Sequence, residues 1–537
     1  NIYLDGTAIG GVSDLSGFYQ IKQIPAGSYL LKISFIGYKR KEVSIQIRPG
    51  EAKKLDLALD FDVVRGGTMV ITAQAEGQVA AINKQLRSNT IKNVVASERI
   101  MELPDANAAE SIGRLSGVSI QRSGGEGNRV VIRGLSPTYN AITINGDKIP
   151  ATDLGDRSVD LNMISPEMLK GIELTKALTP DQDADAFGGV VNFQIADALE
   201  GFRYNLRFQQ GYNDQRDETG QFKGSLMLSN RFWENRLGIM ITGGREKAQR
   251  GSDQLSAGYF VTREKREGED LAPISVSQTE LDYIDEIRER SGFSVVIDYR
   301  LPAGKLMLSN FMSRLDRNEL INWNSYQLSN NWRDLGLRNR ISQIDVLTNS
   351  FSGEHHFHSA KLDWRMSRSS SLTRSPYNSY FRFRERSAFD QSLIPAENFG
   401  PDALINAAFN NYADMGSQTA SFTTDRSFER DYTSQLNLEV PITLSRKIAG
   451  NLKMGGKYTD KRKERDKNHL RRFLNSPLPQ FVRHHTQFGT SGFDYKTVTG
   501  GFPSVANYLD ATFKATDYLN GRYDFGYRLD ADELNHL

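Results

Sequence analysis

Leu115-Ser116-Gly117-Val118-Ser119-Ile120, Val131-Ile132-Arg133-Gly134-Leu135, Ile144-Asn145-Gly146-Asp147, Gly171-Ile172-Glu173-Leu174-Thr175-Lys176 and Ala186-Phe187-Gly188-Gly189-Val190-Val191-Asn192-Phe193 follow one another in that order. Each is a short β-prone run, and most carry or adjoin a glycine. Strands are expected at Val118–Ile120, Arg129–Arg133, Ala141–Ile144 and Gly171–Thr175. Helices intervene. Ser97-Glu98-Arg99-Ile100 starts a short one, and Asn107–Leu115 is a clearer one, with Asn107 as N-cap and an apolar face. Another is expected near Ser165-Pro166-Glu167-Met168-Leu169, with Ser165 as cap and Pro166 at the first helical position. Residues 86–196 therefore read as one compact α/β unit.

Two motifs inside this unit invite a ligand. Gly124-Gly125-Glu126-Gly127 has the glycine density of a phosphate loop, but a strand follows it where such a loop opens a helix, so it reads as a hairpin turn. Asp181-Gln182-Asp183-Ala184-Asp185 begins like a calcium loop. Ala186 stands where the turn needs Gly, and Asn192 where the bidentate Glu belongs, so the acids read as a solvated loop.

Upstream, residues 1–60 read as a small antiparallel β-sandwich. Gly17–Ile21, Ser28–Phe35, Glu42–Ile47 and Lys54–Leu59 alternate with period two, and no helix interrupts them. Residues 61–85 form a linker holding the β-prone hexamer Thr68-Met69-Val70-Ile71-Thr72-Ala73. That hexamer is either a last strand of the sandwich or a peptide able to join another protein's sheet edge.

Downstream, residues 197–537 alternate again and again. Phe202, Tyr204, Leu206 and Phe208 share one face, and Arg203, Asn205, Arg207 and Gln209 share the other. The same holds for Phe293–Tyr299, Leu362–Met366 and Leu436–Val440, with charged residues on the second face. This suits a barrel with a polar lumen. Trp233-Glu234-Asn235, Pro302-Ala303-Gly304 and Ser445-Arg446-Lys447 read as tight turns. The polar stretches near 244–291, 314–343, 370–428 and from 463 onward read as long loops, the asymmetry of the two rims of an outer-membrane barrel. About nine strands are expected.

Composition agrees. The 537 residues carry 67 Lys+Arg against 65 Asp+Glu, a net charge of +2, which argues against bulk nucleic acid as a partner. Mean hydropathy is −0.50 and no apolar run approaches a membrane-spanning helix, which leaves a β-barrel open. Phe (28), Tyr (21) and Gly (46) outweigh Pro (16), as suits β structure, and the absence of Cys removes disulfides and thiolate metal sites. His355, His356 and His358 cluster beside Glu354, but strand alternation would not aim all three at one ion. No catalytic constellation, cofactor site or metal site is expected.

The five ordered motifs resemble the plug domain of TonB-dependent outer-membrane receptors. Residues 13–38 likewise resemble a carboxypeptidase-regulatory-like domain, whose opening strand the chain begins too late to contain. The resemblance implies a mainly β protein: the N-terminal sandwich, the plug, and the first part of a transmembrane barrel of roughly 22 strands. Thr179–Ala186 stands where SusC-like glycan importers carry a long Ala/Ser-rich stretch, which speaks against that branch. The family implies that Thr68, Met69, Val70, Ile71, Thr72 and Ala73 are a TonB box. It also implies a lock between plug and barrel, assigned to Arg133, Glu173 and Lys176. Lys176 keeps the sign of the family's frequent Arg but lacks its planar fork. The expected partners are TonB, outer-membrane lipid and a nutrient ligand such as a siderophore, glycan or peptide. Trp323, Tyr326 and Trp332 are candidates for ligand stacking. The N-terminal domain is expected in the periplasm, and the alternative function is a surface adhesin or structural barrel.

Overall fold

The computed structural model describes residues 1–59 (except 8, 14–16, 36, 37 and 39), 81, 82, 85, 90–102, 107–180, 182–357, 360–445, 448–473, 498, 499, 502–513 and 517–535. Thr68–Ala73 and His358 lie outside these, as do Arg446 and Lys447 of the third expected turn.

The N-terminal unit is one sheet of four strands, β1 (Ile2–Leu4), β2 (Gly10–Gly11), β3 (Gly27–Ile33) and β4 (Lys41–Ile47), ordered β2-β1-β3-β4. Ile2, Leu4, Tyr29, Leu31 and Ile33 fill its core, and Tyr19, Ile21, Leu55 and Leu57 pack against them. The second layer read from Gly17–Ile21 and Lys54–Leu59 is thus present as packed chain rather than as a hydrogen-bonded ladder. The tyrosine hydroxyl of Tyr19 donates to the Leu55 carbonyl at 2.7 Å and ties its two pieces together.

In the central unit, strands β5 (Lys92–Ala96), β8 (Asn140–Ile144), β9 (Asp147–Lys148), β10 (Leu169–Thr175) and β11 (Gly189–Ile195) form a sheet ordered β5-β10-β11-β8-β9, with β8 and β11 parallel. Hairpin β6 (Val118–Ser123) and β7 (Glu126–Ile132) stands apart from it. Helix α1 is Ser97–Glu102 and α2 is Ala108–Gly113. Asn107 caps α2 as its side chain accepts from the Ala109 and Glu110 amides at 2.9 and 3.3 Å. The helix expected at Ser165 is only a 3-10 turn, Pro166–Met168. Leu169 already pairs in the ladder of β10, where buried residues with strands on both sides outcompete helix extension.

Ten antiparallel strands form the large sheet: β12 (Arg203–Asn213), β13 (Glu218–Phe232), β14 (Leu237–Gln249), β15 (Ser252–Val261), β16 (Ile274–Leu301), β17 (Gly304–Gln327), β18 (Trp332–His356), β19 (Lys361–Arg386), β20 (Gly416–Ser445) and β21 (Ile448–Phe473). The sheet is not closed; β12 and β21 are its edges, and β15 pairs the upper part of β16. Trp233, Glu234 and Asn235 take φ of 52°, 56° and 66° in the expected tight turn, and Leu301 pairs Gly304 around the Pro302 turn.

At the other rim the long-loop reading holds for residues 387–415, which join β19 to β20 and carry the short helix Pro401–Asn406, but it is corrected elsewhere. Residues 314–343 are continuous strand across a four-residue turn, and β16 alone runs 28 residues. About 9–11 residues suffice to cross a bilayer, so these strands continue far beyond it. Their upper parts are charged on both faces, which masks the alternation that betrays a strand in sequence.

Candidate functional site

The central unit seats against one face of the large sheet, and the seam is the site. Its apolar part is one continuous core: Ile144, Leu161, Met163, Met168 and Phe193 of the central unit with Met240, Val296, Phe311, Leu315 and Val346 of the wall. Hydroxyls stitch its margin. Ser371 and Thr373 of β19 donate to the carbonyls of Ala151 and Thr152 at 2.7 Å each, and Ser313 donates to the Met163 carbonyl.

The polar part centres on Glu126, the first residue of β7. Arg250 donates to its Oε1 at 2.7 Å; Arg288 and Arg290 of β16 donate to Oε2 at 2.8 and 3.2 Å. Arg288 also donates to Glu286 at 2.6 Å, Arg290 to Glu246 at 2.7 Å, and Arg317 of β17 to Asp160 at 2.9 Å. Four guanidinium groups thus face four carboxylates, and the Arg288 and Glu126 side chains are 1% and 5% exposed. Burial alone would raise the Glu126 carboxyl, but Arg290, Arg250 and Arg288 outweigh it and hold the group at about 2. Gly124, with φ +56°, makes the approach possible: a Cβ there would meet Glu286 Oε2 at 2.6 Å and Arg288 Nη2 at 2.7 Å.

Further pairs spread around the seam. Lys223 meets Glu167 at 2.7 Å, Lys305 meets Asp197 at 2.8 Å, and Lys457 meets Asp183 at 2.8 Å. Burial pushes the Glu167 and Asp197 carboxyls up, but Lys223 and Lys305 bring both below their ordinary values. Asp147 goes the other way, raised by burial despite Arg365 at 4.0 Å.

The residues assigned to this lock from sequence sit elsewhere. Arg133 is exposed, with φ 54°, and donates to the carbonyls of Phe187 and Gly188 at 2.8 and 3.1 Å. Its left-handed backbone turns it onto its own unit, and among the described residues no carboxylate forms an ion pair with it. Glu173 is buried in β10 beside Lys92 and Gln194, both of the central unit, at 3.2 and 2.7 Å. Lys176 donates to the Ser116 carbonyl. All three therefore brace the central unit internally. Glu126, Arg288 and Arg290 were missed because one lay in a glycine turn and the others in an apparent loop. The period-two run Glu286, Arg288, Arg290 was the available signal.

The stacking candidates separate as well. Odd positions of β17 such as Ser313 and Arg317 face the central unit, so Trp323 shares that face and Tyr326 takes the opposite one. Trp323 stacks on Tyr380, with centroids 5.8 Å apart. Trp332 lies under the Arg384 guanidinium at 3.5 Å. Tyr326 is instead buried in a second core, where Val276, Leu281, Phe389, Phe399, Tyr518 and Phe525 clad the outer side of the sheet. At the short-turn rim, His356 pairs with Glu354 at 2.7 Å and Lys361 with the same carboxylate at 3.0 Å, while His355 accepts from Trp364.

Residues 84–190 match the TonB-dependent Receptor Plug Domain family, and residues 1–71 match the CarboxypepD_reg-like domain family. The chain thus carries a TonB-dependent receptor plug domain behind an N-terminal CarboxypepD_reg-like domain, and TonB-dependent receptors are outer-membrane β-barrel proteins. Among curated proteins it is similar to the heme transporter BhuA of Brucella suis biovar 1 (strain 1330), 27% identical over 108 residues, which is 20% of this chain and 16% of that protein. Among solved structures, a mutant of the ferric enterobactin receptor PfeA from Pseudomonas aeruginosa aligns at TM-score 0.33 and 14% identity, covering 68% of this chain and 62% of that one. The ferric citrate transporter FecA aligns at TM-score 0.32 and 13% identity, covering 73% and 60%. The chain therefore spans about a sixth of its curated relative and less than two thirds of these two structures.

Proposed function

We propose that this receptor binds a scarce extracellular ligand and passes it to the periplasm using work delivered by TonB. The observation that carries this reading is the Glu126 cluster. A ligand can pass only if the plug shifts, and shifting it parts Glu126 from three arginines. Stranding one partner of a buried pair costs on the order of 3–5 kcal/mol, more than thermal motion supplies readily and within reach of external work. The matching partner is TonB, engaged through Thr68–Ala73, with outer-membrane lipid around the wall and a siderophore, glycan or peptide as cargo. A surface adhesin needs neither plug nor lock. A periplasmic place for the N-terminal domain is supported by Lys22, which donates to the Phe357 carbonyl at 2.7 Å on the short-turn rim.

The experiment is Val70→Pro in the full-length receptor, which removes a backbone donor and fixes φ. Uptake should stop while surface binding of ligand persists. Undiminished uptake by that variant sinks the assignment.

A further inference from the structure

The outward face of the wall, away from the plug, is apolar in a band that begins at the short turns. On β19 the band climbs through Leu362, Trp364 and Met366 and stops at Arg368. On β20 it passes Leu438, Leu436 and Tyr432 and stops at Arg430. Charges at this level mark the upper margin of the lipid-facing band. Most are matched within the protein. Arg314 lies 3.0 Å from Asp316 and 3.7 Å from Asp345, and Arg374 lies 3.1 Å from Asp345. Arg462 pairs with Glu464, Arg430 lies 3.8 Å from Asp460, and higher up Arg426 stands in register with Asp466. Arg368 is the exception. It is exposed and forms no ion pair among the described residues, and its guanidinium lies 5.9 Å from the centre of the Tyr432 ring.

Just below Arg368 the band is indented. Leu308, Phe351, Met366 and Ser434 stand in one register row across β17 to β20, and Asn310, Asn349, Arg368 and Tyr432 form the next row up. The short side chains of Asn349 and Ser434 leave room beside Phe351, Met366 and Tyr432, and a groove of about 340 Å³ opens there with Arg368 in its lining. Leu308, Phe351 and Met366 are all exposed and form its apolar wall, and Trp364 braces Phe351 edge to face at 5.0 Å. The groove is therefore apolar along its length and cationic at its upper end.

We propose that this groove holds an acyl chain of a membrane lipid whose phosphate headgroup is gripped by Arg368, in the leaflet away from the short turns. A guanidinium fork matches phosphate oxygens, and a cation at the edge of a lipid-facing band is stabilised by a counter-charge that the protein does not supply. A free anion would engage the arginine and leave the apolar groove unfilled. An uncharged lipid would fill the groove and leave the arginine unmatched. The site lies on the opposite face of the wall from the plug, so it goes beyond the uptake reading and does not depend on it.

The probes are dilauroyl phosphatidic acid and dilauroylglycerol, alike but for the phosphate. Native mass spectrometry of the full-length receptor, stripped of lipid in detergent, should show the phosphatidic acid bound at least about tenfold more tightly than the glyceride. Arg368→Gln should erase that preference, and Arg368→Lys should keep part of it. Ser434→Trp fills the groove but leaves the arginine, and should weaken binding of both lipids. Inorganic phosphate at the same concentration should not displace the phosphatidic acid. Equal affinity for the two lipids, an unchanged preference in Arg368→Gln, undiminished binding in Ser434→Trp, or displacement by inorganic phosphate would overturn the site.

Discussion

Glu126 of β7 and Arg288 of β16 are 162 residues apart in sequence and 2.8 Å apart in space, both buried. The contact joins the plug to the wall through a carboxylate that belongs to the plug and a cation that belongs to the wall. Neither could be solvated where it sits. The pair is stable only while the plug is seated, which makes it a latch.

Glu126→Gln should weaken that latch. The amide keeps the shape but leaves Arg250 and Arg290 facing no charge from the plug, at a cost of roughly 3 kcal/mol. Planar-bilayer recordings of the full-length variant should show frequent openings where the parent is silent. Conductance identical to the parent would count against the latch.

Acid should act in the same direction. The Glu126 carboxyl is held at about 2, from an ordinary 4.5. A depressed value stabilises the seated plug above about pH 4.5, and that contribution fades as pH falls toward 2. At about 1.4 kcal/mol per unit the span is worth about 3 kcal/mol. Glu167 and Asp197 shift the same way, whereas Asp147 contributes with the opposite sign. Plug amide protection factors, corrected for the intrinsic pH dependence of exchange, should fall from pH 6 to 2.5 in the parent and depend less on pH in Glu126→Gln.

Asn107→Ala tests the plug's own integrity. Asn107 caps α2, donates to the Gly127 carbonyl at 2.9 Å and contacts Asn162, fully buried. Losing the cap costs about 1 kcal/mol, and the orphaned carbonyl adds a further 1–3. Because Gly127 adjoins Glu126, exchange protection should fall in β7 before it falls in β10. A uniform loss would separate the cap from the latch.

The chain expressed alone should require detergent. Phe202, just before edge strand β12, and Tyr204, Leu206 and Phe208 on it are 66–73% exposed, and edge strand β21 offers an unpaired ladder as well. Gel filtration of the 537 residues in plain buffer should give aggregate, whereas residues 86–196 should elute as a soluble unit. A monodisperse water-soluble monomer of the whole chain would contradict an outer-membrane sheet.

What the sequence determined by itself was local. Asn107 as a cap, the Gly124–Gly125 turn, the strands of the plug and the tight turns at Trp233 and Pro302 each follow from neighbours a few residues away. The ordered motifs were legible for the same reason, since each encodes a turn or strand that only certain residues permit. The lock was not legible. Arg133 has the residue type of a lock, but its left-handed backbone turns the guanidinium onto Phe187 and Gly188. Glu126 looked like part of a glycine turn, and only tertiary packing carries it to Arg250, Arg288 and Arg290. Likewise Trp323 and Tyr326 are three residues apart and chemically alike. The period of two places one above the plug and the other beneath the outer core, and no local signal says which face is which. Ion pairs between distant segments exist only once the chain has closed the distance, so the tertiary structure alone decided them.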